Sequence, residues 1–220
     1  MVKLNKVVLK NKEVTINDIN FEKLMLVYSI ALEKTKNKIL ELKEEINNKS
    51  NCDIITNIST RIKSPDSIID KMIKKGYSLT YQSLIENVND IAGLRIVCIS
   101  EKDVYKIVKK IADMDEINVI KKKDYIKKPK ESGYSAYHII IEIPIYLEEK
   151  KVWVKVEIQI RTMAMDFWAN LEHDVNYKSE TKLSKKDSSR LKIYAKIISK
   201  INNKMVKMYK NNNQYIENEI

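Results

Sequence analysis

Two carboxylates and a set of cations are the residues of this 220-residue chain best suited to chemistry. Asp90 stands just before Gly93 and an apolar run that begins at Leu94, and Glu157 stands within 151–161. Phosphoryl-type transfer needs acid oxygens to hold Mg²⁺ and cations to neutralise the transferring group, and magnesium takes only one or two protein carboxylates. Asp90 and Glu157 are the candidate ligands. Glu157 is equally suited to act as general base for an attacking hydroxyl, a role worth about 10²- to 10⁴-fold. The bland alternative for Glu157 is an exposed strand acid paired to Lys155 or Arg161, because mixed polar faces are common on antiparallel sheets.

Arg61, Lys63 and Ser64 form a second group at the start of an expected helix. A helix N-terminus offers free N–H groups and the positive end of its dipole to phosphate. Lys71 and Lys74 would extend that cradle along one face, whereas Lys75 reads as solvated. Tyr134, beside Gly133 and after a basic stretch, is placed either to stack on a nucleobase or to pack. His138 and His173 are the only histidines. The dipeptide His173-Asp174 therefore lacks the partners for the metal site of an HD phosphohydrolase.

The formal charge of +11 favours an anionic partner: nucleic acid, membrane surface or nucleotide phosphates. Against so many lysines only four arginines occur, Arg61, Arg95, Arg161 and Arg190. Their planar forks, able to stack on rings, mark places where lysine would not serve. Cys52 and Cys98 stand far apart, so neither a metal knuckle nor a disulfide framework is implied. No run approaches the roughly 20 apolar residues that cross a bilayer, and lysines interrupt the first residues before a secretory signal can form. A cytoplasmic protein is the expectation.

The positioning elements follow from periodicity. Residues 21–46 recur at helical spacing (Phe21, Leu24, Tyr28, Ala31, Leu32, Ile39, Leu42, Ile46) and 47–51 break the pattern. Ser64-Pro65-Asp66 reads as an N-cap with proline at the first helical position, and Gly76 as the stop. Residues 94–99 suit a buried strand. Ser100 and Asp103 resemble a capping box opening the next helix, and 117–120 would add a strand to complete a β-α-β unit. Residues 121–130, with six lysines, read as a mobile basic loop. Strands over 138–146 and 152–160 form a hairpin, the second with Val152, Val154, Val156, Ile158 and Ile160 on one face and Trp153, Lys155, Glu157, Gln159 and Arg161 on the other. Thr162 caps a helix to Tyr177, and 191–208 make a long amphipathic helix. The fold class is α/β (α+β), one domain: a mixed sheet flanked by helices, with a core over about 20–180 and a helix over about 184–210 suited to oligomerisation.

Four segments, RIKSPDSIIDKM (61–72), DIAGLRI (90–96), GYSAYH (133–138) and VEIQIRTMAMDFWANLEHDVNYK (156–178), together resemble the small alarmone synthetases. These are the RelA/SpoT-type synthetase domain standing alone, here RelQ-like. The resemblance implies a nucleotidyltransferase-like sheet and Mg²⁺-dependent transfer of pyrophosphate from ATP to the 3′-hydroxyl of GDP, GTP or GMP. It implies that Arg61 and Arg95 sandwich adenine, with Lys63, Ser64, Lys71 and Lys74 on the ATP phosphates. Asp90 and Glu157 would serve the metal, and Glu157 would also lie near the attacking hydroxyl. Tyr134 would stack on guanine, with His138, Lys127, Lys155 and Gln159 completing the acceptor side. The basic stretch would order when the acceptor binds.

Ser135 stands where the family usually carries a larger polar or basic residue, which leaves the choice of acceptor open. Residues 57–60 lack the aromatic and glycine that precede Arg61 in many members, which counts against a regulatory alarmone site between subunits. A homotetramer and synthesis without hydrolysis are implied. The competing expectations are transfer to tRNA or adenine nucleotides, and a non-catalytic module whose lysines bind RNA.

Overall fold

Regular alternation in the sequence becomes the centre of a sheet. The computed structural model describes the backbone of residues 5–9, 12–16, 20–50, 53–147, 149–178 and 185–212. Its strands are β1 (Asn5–Leu9), β2 (Lys12–Ile16), β3 (Ile55–Ile62), β4 (Ala92–Cys98), β5 (Asn118–Asp124), β6 (Tyr137–Leu147) and β7 (Lys150–Thr162). Its helices are α1 (Phe21–Ser50), α2 (Pro65–Lys75), α3 (Tyr81–Asn87), α4 (Glu101–Ala112), α5 (Met163–Lys178) and α6 (Lys185–Asn212). β1 and β2 pair antiparallel as a sheet of their own; the other five lie in the order β3-β4-β7-β6-β5. Only the β4–β7 pair is parallel, so the sheet is mixed, as expected.

Val152 is 38% exposed near the start of β7, contrary to expectation, but from Val154 to Ile160 the strand alternates as its sequence predicts, the four aliphatic residues being buried. Their face packs with α1 and α4 in one core, to which Leu24, Tyr28, Ala31, Ile39, Val104, Ile107 and Ile111 contribute. At about 25 cal/mol per Å² of apolar surface, burying these side chains is the main stabilising term. A second, smaller cluster on Tyr134, Ala136, Trp168 and Ala169 receives Leu191, Ala195 and Ile198 of α6.

The caps form where the sequence places them. The Ser64 side chain accepts from the Ser67 N–H, Pro65 opens α2, and Gly76 closes it at φ 69°. That left-handed turn suits glycine. Ser100 and Asp103 make the full capping box of α4, and Thr162 Oγ1 accepts from the Met165 N–H at 3.3 Å.

The structure differs from, or adds to, the expectation at four points. α1 does not stop near Ile46 but runs to Ser50, since Asn and Lys are only weakly disfavoured once a long helix is nucleated. β3, for which the sequence offers no periodic signal, is an edge strand with a mostly exposed side-chain pattern. β4 and β5 run in the same direction through α4, but β7 and β6 lie between them. The stretch 121–130 is not a loop throughout: β5 includes Lys121–Asp124. Beyond it the Asp124 carboxylate accepts from the N–H groups of Ile126 and Lys127, and Tyr125 N–H bonds to the Ala136 carbonyl. Edge lysines are a common device for blunting a sheet edge. Among the described residues no helix is long and apolar enough to cross a membrane.

Candidate active site

Sheet register collects the chemistry. Arg61 pairs with Gly93, and Gly93 with Glu157; Ser59 pairs with Arg95, Arg95 with Gln159, and Gln159 with His138. Directly paired residues share a face, and alternate residues along a strand share it too. Four strands therefore project Ser59, Arg61, Arg95, His138, Glu157 and Gln159 to the side opposite the main core. Gly93 contributes no side chain between Arg61 and Glu157. A cleft of about 310 Å³ opens there, lined by Arg61, Lys63, Asp90, Gly93, Arg95, Glu157 and Gln159, with Ser59, Thr60 and Leu94.

On one side of the cleft, the Asp90 carboxylate accepts from Lys63 Nζ at 3.0 Å and from Lys71 Nζ at 2.6 Å. Burial alone would raise this carboxyl. The hydrogen bonds and charges of Lys71 and Lys63 outweigh it and hold Asp90 below the usual aspartate range. Lys63 is itself fixed, its N–H bonded to the Ile91 carbonyl, and Lys71 is presented by the first turns of α2. Arg61 and Arg95 stand at diagonal positions on adjacent strands, a separation of roughly 7–8 Å between their backbone attachments. That spacing leaves room for one planar ring between two guanidinium groups.

On the other side a closed ring of hydrogen bonds surrounds Glu157. His138 Nδ1 lies 3.1 Å from Glu157 Oε1, and Gln159 Nε2 donates to Glu157 Oε2 at 2.8 Å. Arg161 donates to Gln159 Oε1 at 2.7 Å and to the Tyr134 hydroxyl at 2.7 Å. That hydroxyl lies 2.8 Å from His138 Nε2, which closes the ring. The ionised Glu157 carboxylate can only accept, so His138 Nδ1 carries a proton and donates it to Oε1. The Tyr134 oxygen accepts from Arg161. Burial tends to raise the Glu157 carboxyl, but the His138 and Gln159 hydrogen bonds prevail and hold it low. Burial likewise raises the Tyr134 phenol, with Arg161 opposing, so the phenol keeps its proton at neutral pH.

Arg161 is 5% exposed, and its charge is balanced by Asp166 at 3.1 Å. The same Asp166 oxygen also forms an ion pair with Arg95 Nη1 at 3.2 Å. The sequence reading named neither Arg161 nor Asp166 as a site residue. The rarity of arginine pointed to the first. Nothing distinguishes the second from any acid in a helix's first turn.

The expected residues do not all converge. Ser64 caps α2 and lies outside the cleft lining, as does exposed Lys74. Lys127 is exposed and rests over the Tyr105 ring at 5.6 Å. Lys155 turns away to the end of α3, donating to the carbonyls of Ile85 at 2.9 Å and Glu86 at 3.2 Å. Tyr134 is no open platform but is buried, and the Lys130 ammonium sits over its ring at 4.6 Å. His173 and Asp174 lie 3.8 Å apart on the surface. Among the described residues no group of three or more His, Cys, Asp and Glu could hold a metal. Two carboxylates facing one cleft nonetheless fit magnesium, which completes its shell with water and phosphate oxygens.

Residues 60–182 match the region found in RelA / SpoT proteins. GTP pyrophosphokinase YwaC of Bacillus subtilis (strain 168) is 38% identical over 182 residues, spanning 83% of this chain and 87% of that protein. The crystal structure of small alarmone synthetase 2 from Bacillus subtilis matches with a TM-score of 0.77 and 36% identity, covering 88% of this chain and 100% of that one. Small alarmone synthetase 1 of the same organism, bound to its product pppGpp, matches with a TM-score of 0.78 and 31% identity over 87% of this chain and 97% of that one. The chain belongs to the RelA/SpoT family.

Proposed function

We propose that the chain transfers pyrophosphate from ATP to the 3′-hydroxyl of a guanine nucleotide, releasing AMP and forming a (p)ppGpp-type alarmone. The observation that carries this reading is a single cleft that joins two ionised carboxylates, Asp90 and Glu157, to a rim of Arg61, Lys63 and Arg95. The likeness to a GTP pyrophosphokinase and to a synthetase bound to pppGpp supports the same chemistry.

In this reading the acceptor 3′-oxygen attacks the β-phosphorus of ATP, and the bond from that phosphorus to the oxygen bridging to the α-phosphate breaks. Glu157 takes the hydroxyl proton. Its two donors leave lone pairs free, because each carboxylate oxygen spends only one on His138 or Gln159. Arg61 and Arg95 hold the adenine between them, and Lys63 and Lys71 meet the phosphates. Asp90 and Glu157 would hold Mg²⁺, which supplies charge neutralisation and orientation at the phosphates. Until phosphates compete for them, the two lysines neutralise Asp90 themselves. His138 and Tyr134 form the acceptor side, where a guanine stacking on Tyr134 would displace Lys130 from the ring.

We further read the protein as a cytoplasmic homotetramer that synthesises without hydrolysing. An i, i+4 stripe on α6 (Ile193, Ile197, Ile201, Met205) is exposed, as are Phe167 and Leu171 on α5, and contiguous apolar surface of this kind marks association. Incubating the protein with Mg²⁺, labelled ATP and each of GMP, GDP and GTP tests the reaction. AMP release that depends on a guanine nucleotide is the expected result. Transfer of label to tRNA or to an adenine nucleotide instead, or to no acceptor, overturns it.

A further inference from the structure

The shared carboxylate of Asp166 joins the two halves of the cleft. Its Oδ1 accepts from Arg161 at 3.1 Å and forms an ion pair with Arg95 at 3.2 Å, while its Oδ2 accepts from Asn170 at 3.3 Å. Arg95 is part-exposed on the donor side. Arg161 is buried and grips the Tyr134 hydroxyl and the Gln159 amide, the two groups that orient His138 and Glu157. Arg161 has little freedom to find another arrangement. Its Nε is the one buried side-chain nitrogen or oxygen among the described residues without a hydrogen-bond partner, so every strong contact it makes is through the two terminal nitrogens.

We propose that Asp166 is a positioning residue that couples the donor and acceptor subsites, so that occupancy of one strengthens binding at the other. The inference rests on the proposed function, in which Arg95 meets the adenine and Tyr134 the acceptor. Without nucleotide, Arg95 is hydrated and its hold on Asp166 is screened. A ring stacked on Arg95 excludes water from that pair and immobilises Asp166. Asp166 in turn fixes Arg161, and Arg161 fixes the Tyr134 and His138 orientations that the acceptor requires. The ordering is then already in place for the second nucleotide, which gives positive coupling without a large movement. Coupling must be reciprocal, since it is a free energy between two sites.

The test measures binding of α,β-methylene-ATP to the full chain with Mg²⁺, alone and with saturating GDP, and then GDP binding with and without the analogue. Wild type is expected to show a coupling factor of about 5-fold or more, equal in both directions. Asp166→Asn should bind each nucleotide alone yet bring the factor within about 2-fold of unity. Arg161→Lys keeps a cation opposite Asp166 but cannot hold Asp166, Tyr134 and Gln159 together, and it should lower the same factor; it decides the matter should Asp166→Asn not fold. A wild-type factor of one, or a wild-type factor retained in the folded variants, overturns the inference while leaving the proposed reaction standing. Binding of neither nucleotide to wild type overturns both.

Discussion

His138 Nδ1 lies 3.1 Å from Glu157 Oε1 and donates its proton to that oxygen, because an ionised carboxylate can only accept. Glu157→Gln breaks that arrangement at either orientation of the new amide. With its NH₂ toward Gln159, two amide donors face each other, and turning Gln159 sets its NH₂ against Arg161. With its NH₂ toward His138, it meets the Nδ1–H. One buried donor stays unsatisfied, which costs about 1–3 kcal/mol and lowers the melting temperature by a few degrees at roughly 2–4 °C per kcal/mol. The catalytic loss should be far larger than this, about 10²- to 10⁴-fold in AMP release if Glu157 is the base. A near-normal rate in the folded variant removes Glu157 from the chemistry.

Asp90 predicts a pH dependence of stability with a definite sign. Its folded-state carboxyl is held below the usual value because the Lys71 and Lys63 contacts outweigh burial. A group depressed by folding contributes stability that is complete above its unfolded value and lost as pH falls through the folded one. Wild type should therefore exceed Asp90→Asn in urea midpoint at neutral pH, and the gap should close as pH drops below about 4, the ordinary aspartate range. Urea titrations of both proteins at a series of pH values measure it; a gap that widens in acid contradicts the assignment.

Two glycines at positive φ should respond differently to alanine. At Gly76, φ 69°, an added Cβ meets nothing within 4 Å, so only the left-handed backbone opposes it, at about 1–2 kcal/mol. At Gly133, φ 91°, an added Cβ would lie 2.8 Å from the Ala195 Cβ and 3.1 Å from the Lys192 Cα. Gly133→Ala must push α6 away, loosening the cluster in which Trp168 Nε1 donates to the Leu191 carbonyl at 3.3 Å. Gly133→Ala should lower the melting temperature more than Gly76→Ala and shift tryptophan fluorescence, which Gly76→Ala leaves unchanged. Equal effects would argue against close docking of α6.

What was legible in the chain depended on local signals. The β7 alternation from Val154 onward, the Ser64–Pro65 start of α2, the Ser100–Asp103 box and the Thr162 cap are each written in a few adjacent residues, and each forms as expected. β3 was invisible because an edge strand with polar side chains has no apolar period to display. The ring around Glu157 was invisible for a different reason. It joins positions 134, 138, 157, 159 and 161 through pairing of β6 with β7, with Asp166 of α5 holding Arg161 from outside the ring, and no spacing rule connects Tyr134 to Arg161. The opposite error occurred at Lys155, whose place on the polar face was read correctly. Its long, flexible side chain reaches instead to the open carbonyls of α3, which satisfy its ammonium.

The exposed face of α6 yields the last prediction. Leu191, Ala195 and Ile198 of this helix pack toward Trp168 and Tyr134. The neighbouring line of Ile193, Ile197, Ile201 and Met205 is left 47–64% exposed. One isolated apolar side chain on a surface is ordinary, but four at successive turns of one helix form a continuous stripe. Introducing two charges there, Ile197→Glu with Ile201→Glu, puts carboxylates into any interface the stripe forms while leaving the inward contacts untouched. Light scattering coupled to size exclusion should show the wild type as an assembly and the double variant as a smaller species, with helical circular dichroism retained. If both run at the mass of a single chain, the stripe is not a self-association surface and the tetramer reading falls.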